Sequence, residues 1–562
     1  MKENRRKSRV LAIAVVVAVV LSIQPTIGAS IDGTTGAGAL PTFFIPKTCT
    51  ALGVGKNATI DGSTICTQSA DCGFCDFTIH YVPAADHEPG TTVPVRRWTQ
   101  PTNGYQNKPG PIICEIPQVE HTYGYFRAIF GVMNEHGLAM GESTIFSRME
   151  LWPTVDSEAA FRITELSMIA MGGCTTAREA IKLMGSLAEE HGFHGTWAGE
   201  SLMIADGDEV WLFEIHPSDP RWLKDSGKSG AVWCAQRVPD DGFVVVPNES
   251  VIGEIDLNNT GHFMASEDVF DVAIENGWWD PNSGEPFRWD VAYSDKKATG
   301  LRKWRALSMV APSLDLKPYA EEYPFSVKPD KKLSLQDVRE IHGDHLEGTE
   351  FDQTKGLPAG PWGCPNWPRP NPQVPSYRPK QSIAMMASEY VVINQVRGWL
   401  PDPIAGVAWW GVDDGDTTCY VPLYCGITEL PKAYTVGNHH EFDPNSAFWV
   451  FNLVGNIAQL RYCDMIKEIN QAQNRIEGVE IAMQEFVDAR ALELYTQDPA
   501  LARQFLTTYC VTNANWVVDQ WWFLLSDLLD KYDDGGSWNP WSPTPEWWCK
   551  AVTPKGDQQL PA

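Results

Sequence analysis

The chain has 562 residues, a formal charge of −27 and 43% hydrophobic residues. So acidic a surface argues against binding to nucleic acid, whose phosphates need basic partners, and disfavours anionic membranes. The length and composition predict one large catalytic domain with additions.

The start of the chain has the order of a secretory signal peptide. Basic residues come first, an uncharged apolar stretch runs from Val10 to Ile23, and small residues follow up to Ser30. The stretch is shorter than the roughly 20 residues of a spanning helix, and no later stretch stays apolar long enough to compete. We expect a signal peptide over residues 1–29 and a secreted or extracytoplasmic protein without stable membrane insertion. An uncleaved anchor is the alternative.

The next segment, residues 31–48, is rich in Gly, Thr and Pro and has no apolar period, which predicts an unstructured spacer. After it, short apolar runs are separated by turn signals. Ser201–Ala205 and Val210–Ile215 flank Asp206-Gly207 as the arms of a hairpin would. The pattern predicts antiparallel sheet.

Thirteen cysteines are present, and an exported protein normally pairs most of its cysteines. Cys72 and Cys75 form a C-x-x-C pair, for which redox exchange or half a zinc site are the functional alternatives. Because no second C-x-x-C completes a zinc site, we predict a plain disulfide between them.

Helical spacing of apolar residues predicts helices between the strands, over Ser157–Met171 and over Thr175–His191, with Thr175 as the cap. Eight prolines between Leu357 and Pro379 exclude a regular helix or central strand there and predict a long, stiff loop. The pattern after residue 445 becomes helical. Its predicted helices cover Arg461–Tyr495, Pro499–Tyr509 and Ala514–Tyr532.

Common catalytic signatures are missing, since the chain has no H-E-x-x-H, G-x-S-x-G or P-loop motif. What stands out is the stretch from Cys49 to Lys56, followed by Ala58–Thr64 and Asp71, directly after the spacer. The position of this stretch matters as much as its composition.

This stretch resembles the mature start of the cysteine dipeptidases of peptidase family C69, relatives of the secernins within the N-terminal nucleophile hydrolases. The resemblance runs from Cys49 to about Gly535. Further blocks match in the same order: Gly131–Glu142, Pro247-Asn248 leading to Ile255, Glu347–Asp352, and Arg397–Tyr424.

The resemblance implies an α+β fold, a four-layer αββα sandwich of two antiparallel sheets between helices, which the strand and helix pattern alone does not yield. It implies short peptides as substrates, no cofactor and no metal, and it leaves homo-oligomer formation open. The expected segments are a signal peptide (1–29), a propeptide (30–48), a catalytic domain (49–445), a C-terminal helical region (446–535) and a tail (536–562).

Cys49 would be the nucleophile, and its freed α-amine, with an ordinary pKa near ~8, the base. The enzyme would first break its own Thr48–Cys49 bond. Asn134 is the first expected donor to the oxyanion and Asn248 the second. Asp71 would hold the α-amine or the substrate's ammonium group. The structural alternatives are a disulfide cysteine, a turn aspartate and loop asparagines that bond their own backbone.

One residue departs from the family pattern. Gln68 stands where family members carry an Arg, three residues before Asp71. Gln loses the cation that would lower the pKa of the thiol and bind a carboxylate, which predicts altered substrate preference or reduced activity. Arg397 is a candidate substitute, although a structural salt bridge is the favoured interpretation.

Three other functions are compatible with the sequence. An amide acylase of the same fold would differ only in its pocket, and an inactive binding protein would explain Gln68. A metallopeptidase could use His342, His345 and Glu347, but their spacing fits no zinc signature, and Glu347 belongs to a block that matches the dipeptidases.

Overall fold

The structure is a computed structural model, and it covers most of the chain from Cys49 onward. The expected signal peptide and propeptide lie outside the described residues, as does most of the proline-rich segment. No described helix is both long and apolar enough to cross a bilayer. The described ranges are 49–98, 104–195, 199–294, 300–366, 382–533 and 544–552.

The fold is a mixed α and β fold with antiparallel sheets and a helical C-terminal region, as expected. The described strands are β1 (Ala51–Val54), β2 (Thr64–Ser69), β3 (His80–Val82), β4 (Ala85–Asp86), β5 (Thr92–Trp98), β6 (Pro109–Pro117), β7 (His121–Thr122), β8 (Tyr125–Arg127), β9 (Gly131–Asn134), β10 (Ala139–Ile145), β11 (Gly199–Ala205), β12 (Val210–Pro217), β13 (Ala231–Arg237), β14 (Phe243–Val246), β15 (Phe263–Ala265), β16 (Tyr390–Val396), β17 (Gly406–Val412) and β18 (Val421–Tyr424).

Two large sheets organise these strands. A six-stranded sheet has the order β14-β1-β2-β16-β17-β18, and an eight-stranded sheet has the order β15-β13-β12-β11-β10-β9-β8-β3. The pairs β4–β7 and β5–β6 form separate ribbons. The predicted hairpin is confirmed, since β11 and β12 pair antiparallel with Ala205 opposite Val210.

The two large sheets pack face to face and approach closely at glycines. A Cβ on Gly141 of β10 would lie 2.1 Å from the carbonyl oxygen of Thr67 in β2, and one on Gly53 of β1 would lie 2.5 Å from Met203 Sδ in β11. Asn394 Nδ2 in β16 donates across the interface to the Met140 carbonyl at 3.2 Å. Small residues therefore set the distance between the sheets.

The helices in the described residues match the predicted helix ranges only in part. The α-helices are α1 (Ile163–Gly173), α2 (Ala177–His191), α3 (Asp271–Glu275), α4 (Trp289–Tyr293), α5 (Leu301–Val310), α6 (Leu335–His342), α7 (Asp402–Ala405), α8 (Ala447–Ala458), α9 (Tyr462–Gln497), α10 (Pro499–Lys531) and α11 (Glu546–Val552). Short 3-10 helices cover Met149–Leu151, Lys224–Ser226, Pro312–Leu314, Leu357–Ala359 and Lys432–Tyr434.

Two predicted helix starts are wrong. Helix α1 begins at Ile163 rather than Ser157 because Phe161 is extended and bridges Phe193. Helix α2 is capped by Thr176 rather than Thr175: the Thr176 hydroxyl accepts from the Glu179 N–H, and Glu179 accepts from the Thr176 N–H. This reciprocal pair satisfies two amide donors at the helix start, which fixes the boundary.

Helices lie on the faces of the sheets that point away from each other. Gly185 of α2 packs on Trp233 of β13, whose side chain points away from the six-stranded sheet. On the other side, Gln395 of β16 accepts from Gln484 of α9 at 2.9 Å, while its neighbour Asn394 faces the eight-stranded sheet. Both sheets are thus covered on both faces, which explains why all seven residues of β16 are buried.

The C-terminal helices α9 and α10 form a long antiparallel pair. The predicted interruption between Tyr509 and Ala514 is absent, because Cys510 and Ala514 are both buried and continue the apolar stripe of α10. Asn513, a poor helix former, donates its side-chain amide to Glu480 of α9. Packing between the helices therefore overrides local propensity.

The predicted disulfide between Cys72 and Cys75 is confirmed. The wider expectation that most cysteines pair does not hold for the described residues, since many are thiols in the core. They are buried and pack as small hydrophobic side chains. Examples are Cys66, Cys174, Cys234, Cys419 and Cys425.

The close approach of the sheets predicts a large penalty for one added methyl group. We expect Gly141→Ala to lower the free energy of unfolding by about 3 kcal/mol, because its Cβ meets backbone that cannot rotate away. Gly478→Ala in α9, where a Cβ meets nothing within 4 Å, is the control and should stabilise the protein by about 0.5–1 kcal/mol. Urea unfolding of both variants measures the difference, and equal stabilities would contradict the packing described.

Candidate active site

Cys49 lies two residues before the first residue of β1 and is 4% exposed. Its carbonyl oxygen accepts from Arg302 Nη1 at 2.7 Å and from Ser143 Oγ at 3.3 Å. The next residue, Thr50, donates its backbone N–H to Ser69 Oγ at 3.1 Å. The main chain on the C-terminal side of the thiol is therefore held by three side chains from three separate elements.

Arg302, in the first turn of α5, is the cation of this site. Besides the Cys49 carbonyl, its guanidinium donates to Thr50 Oγ1 at 3.0 Å, to the Pro247 carbonyl at 2.6 Å and to Asn248 Oδ1 at 2.9 Å. Burial lowers the pKa of Arg302, and the charge of Asp71 is the largest influence that opposes this. An Arg retains its charge even when buried, so the site keeps a fixed positive charge.

Arg302 belongs to no sequence motif, so its role beside Cys49 is not predicted by the sequence. One signal was available. Arg302 and Lys303 occupy the first turn of α5, where the helix dipole disfavours positive charge. Two basic residues at such a position indicate that something outside the helix compensates them. For Arg302, the acceptors around Cys49 and Asn248 do so, and Lys303 lies in the field of Glu214, Glu249 and Asp290.

Asp71 follows β2 and is fully buried. Ser69 Oγ donates to one carboxylate oxygen at 3.0 Å and Ser388 Oγ to the other at 2.6 Å. Burial raises the pKa of Asp71 to about 7, against the lowering effects of the Ser388 hydrogen bond and the Arg302 charge. Ser69 Oγ also accepts from the backbone N–H of Thr50, so this hydroxyl connects Asp71 to the residue that follows Cys49.

Asn248 lies close to Cys49 in the structure, and the sharp turn after β14 places it there. Its φ of 65° lies in the left-handed region that asparagine tolerates better than most residues. The backbone N–H donates to Ser143 Oγ at 3.2 Å, and Nδ2 donates to the Thr144 carbonyl at 2.8 Å. Ser143 and Arg302 thus both link Asn248 to Cys49.

Asn134 is not brought to Cys49. Its Nδ2 donates to the carbonyls of Met171 and Cys174 at the end of α1, and its Oδ1 accepts from two backbone amides of its own turn. Asn134 lies at the turn of the β9–β10 hairpin, next to Ala139 at the start of β10. Ser143, which contacts Cys49, lies four residues further along β10, about 14 Å from Ala139. The Asn134 amide group therefore stabilises the turn and the helix end.

Gln68, at the position where the resemblance led us to expect an Arg, is buried and donates Nε2 to Glu142 Oε2 at 3.1 Å. Arg397 does not replace the lost cation, because it forms the predicted structural salt bridge, with Asp488, and donates to carbonyls near α7. Arg302 supplies the positive charge beside Cys49 instead.

His342, His345 and Glu347 do not form a common metal site among the described residues. His342 Nε2 lies 2.8 Å from Oγ1 of Thr67 in strand β2. His345 Nδ1 lies 3.4 Å from Glu347 Oε1. The arrangement gives no support to a metallopeptidase built on these three residues.

Sequence comparisons identify a family that matches most of the chain. The sequence model of Peptidase family C69 matches residues 48–475. The chain is similar to a probable dipeptidase of Latilactobacillus sakei, at 25% identity over 496 residues covering 81% of this chain and 92% of the relative. Identity to probable dipeptidase B of Lactococcus lactis subsp. lactis (strain IL1403) is 25% over 426 residues, covering 72% and 79%. Identity to dipeptidase A of Lactobacillus helveticus is 23% over 438 residues, covering 74% and 82%.

The raised pKa of Asp71 predicts a specific pH dependence of stability. The folded state keeps this proton up to about pH 7, whereas an unfolded chain releases it near ~4. Asp71 therefore costs stability progressively as pH rises from about 4 to 7. In a Cys49→Ala background, Asp71→Asn should gain up to about 4 kcal/mol in unfolding free energy relative to its parent over that interval.

Urea unfolding at pH 4 and pH 8 measures this gain, with the exposed Asp156→Asn as the matched control, which should show none. If the Asp71→Asn difference is the same at both pH values, folding does not raise the pKa of Asp71.

Proposed function

The chain belongs to peptidase family C69, and we propose that it is a cysteine-type dipeptidase whose nucleophile is the thiol of Cys49. The family match begins at residue 48, next to that cysteine. The names of the relatives, dipeptidase and probable dipeptidase, support short peptides as substrates. The relatives support the substrate class, and the polar contacts around Cys49 support the chemistry.

The observation that carries the proposal is the grip on the Cys49 carbonyl. Arg302 and Ser143 both donate to it, and both also contact Asn248. A disulfide or core cysteine needs no such set of buried polar partners. A nucleophile does, because its thiol and α-amine must be held in one orientation toward the substrate.

Activation requires that the Thr48–Cys49 peptide bond be broken. We propose that the Cys49 thiol attacks the Thr48 carbonyl carbon, that the C–N bond breaks, and that the released nitrogen takes up a proton as the new α-amine. Water then hydrolyses the thioester, which yields the Thr48 carboxylate and restores the thiol. No outside reactant except water is needed.

The same groups then act on a peptide. The α-amine takes the thiol proton, the thiolate attacks the peptide carbonyl, and the leaving amine departs with that proton, which leaves a thioester for water to hydrolyse. Arg302 favours the thiolate by its charge. Asp71 binds the α-ammonium group of the enzyme or of the substrate.

Asn248 is the proposed donor to the oxyanion. One of its Nδ2 hydrogens is engaged at 2.8 Å by the Thr144 carbonyl, whereas the other is aimed toward Ser143 Oγ at a long 3.4 Å. A weakly engaged N–H can turn to a developing negative charge at little cost. Asn134 has no such spare hydrogen, which is why it drops out of the proposal.

We further propose that the fold is the four-layer αββα sandwich of N-terminal nucleophile hydrolases. Two face-to-face antiparallel sheets between helices, with Cys49 at the start of a central strand of one sheet, support this. We also propose the domain limits given above and an export signal over residues 1–29. Helix α8 begins at Ala447, which supports a C-terminal helical region over 446–535 after a catalytic domain over 49–445.

The maturation step tests the nucleophile. We expect wild-type protein to begin at Cys49 by intact mass and N-terminal sequencing, and Cys49→Ala to keep the preceding residues, because no thiol is left to attack Thr48. Cys66→Ala, which removes another buried cysteine of the same sheet, should mature normally. Maturation of Cys49→Ala would show that another protease makes the cut.

Dipeptides, their N-acetylated forms and N-acyl amides should then be compared as substrates, since a preference for N-acyl amides would favour the acylase.

The two asparagines can be told apart by kinetics. Asn248→Ala should lower kcat by about 10²–10³-fold, the usual loss for one oxyanion donor. Asn134→Ala should leave kcat of the folded enzyme unchanged and instead lower the unfolding free energy by about 1–3 kcal/mol, because buried carbonyls and amides lose their partners. Steady-state kinetics on a dipeptide together with urea unfolding measure both effects. The reverse pattern would return the oxyanion role to Asn134.

A further inference from the structure

A second polar cluster, apart from the Cys49 site, lies between the six-stranded sheet and the C-terminal helices. One ligand-type atom each from His345, Asp414 and Asp416 lies within 4.8 Å of the other two. His345 follows α6, and the two aspartates lie in the turn between β17 and β18. Their exposures are 0%, 5% and 8%, so all three are removed from solvent.

The hydrogen bonding of this cluster is incomplete. His345 Nε2, Asp414 Oδ1 and Asp416 Oδ1 are all buried, and none of them has a hydrogen-bond partner among the described residues. The other oxygen of Asp416 accepts from Tyr462 OH at 2.7 Å, which fixes the orientation of that carboxylate. Buried polar atoms are normally satisfied, and each orphan costs about 1–3 kcal/mol.

Two buried aspartates, Asp414 and Asp416, face a single histidine in this cluster. His345 Nδ1 lies 3.4 Å from Glu347 Oε1, so that nitrogen has a neighbour outside the cluster. A bound divalent cation would neutralise both carboxylates and would give the orphan atoms a common partner.

A small cavity lies beside the two aspartates of the cluster. A cavity of about 10 Å³ borders Asp414 and Asp416 and is lined further by Asn452, Thr417 and Tyr462. This is about the space of one water molecule. It would accommodate a water ligand to an ion that three protein atoms hold.

We propose that His345, Asp414 and Asp416 bind one divalent first-row transition-metal ion of the Zn²⁺ or Mn²⁺ class. The imidazole nitrogen argues for this class over Ca²⁺ and Mg²⁺, which prefer oxygen ligands alone. Three protein ligands and one water complete a four-coordinate site. The proposal is independent of the peptidase chemistry, because none of the three residues contacts Cys49 or Arg302 in the hydrogen bonds described.

The role of such an ion would be structural. Asp416 receives Tyr462 OH from the start of α9, and Gln473 of the same helix donates to the Asp416 carbonyl at 2.8 Å. An ion on Asp416 and His345 would therefore join α6, the β17–β18 turn and α9. It would attach the C-terminal helices to the sheet that carries Cys49.

Metal content and thermal stability test the proposal. Wild-type protein is stripped with a chelator, incubated with Zn²⁺ or Mn²⁺, desalted and analysed by elemental mass spectrometry. We expect about one ion per chain and a rise in Tm over the stripped form. Asp414→Asn and Asp416→Asn, which keep side-chain volume, should each lose the ion and the Tm rise. Asp156→Asn, an exposed aspartate, should retain both.

Two outcomes would overturn the proposal: wild-type protein that takes up no ion, or variants that bind as much metal as the wild type. If the variants do not fold, Co²⁺-loaded wild type decides. Its absorption spectrum should show ligand-field bands of nitrogen and oxygen ligands. A thiolate charge-transfer band would place the ion on a cysteine instead and would overturn the assignment.

Discussion

The site depends on one buried guanidinium. Arg302 donates to two backbone carbonyls and two side chains, and these four acceptors belong to two separate parts of the chain, around Cys49 and around Asn248. A buried charge is tolerated only when its donors are satisfied, so the guanidinium requires both segments to be in place together. The position of the thiol is thereby tied to the turn after β14.

The sheets supply the rigidity on which this arrangement rests. Cys49 precedes β1, Asp71 follows β2, and Ser143 lies on β10 of the facing sheet, so three strand positions define the cluster. Glycines at the interface let the sheets approach closely, since a Cβ on Gly141 would meet the backbone of Thr67 and one on Gly53 would meet Met203 Sδ. Because packed interiors do not deform continuously, groups mounted on these strands keep their relative distances.

Local features of the fold could be predicted from the sequence, and features that depend on distant contacts could not. The hairpin at Asp206-Gly207 and the Cys72–Cys75 pair are encoded within a few residues and were found. The start of α1 depends on the pairing of Phe161 with Phe193, which lies thirty-two residues later in the sequence. The continuity of α10 depends on its packing against α9, which the local sequence does not encode. The same limit applies to the site. Asn134 and Asn248 both lie in matching blocks, but only three-dimensional neighbours show that the first completes a turn while the second contacts Arg302.

The parts of the site lie far apart along the chain. The bond from Arg302 to the Cys49 carbonyl spans 253 residues, and the bond from Ser388 to Asp71 spans 317. Strand β2 is flanked by β1 and by β16, which is synthesised more than half a chain later. Such high contact order makes the sheet slow to form and impossible to complete on the ribosome before residue 424 has emerged. The order of synthesis therefore acts as a timer that keeps the thiol outside its finished surroundings while the chain is still growing.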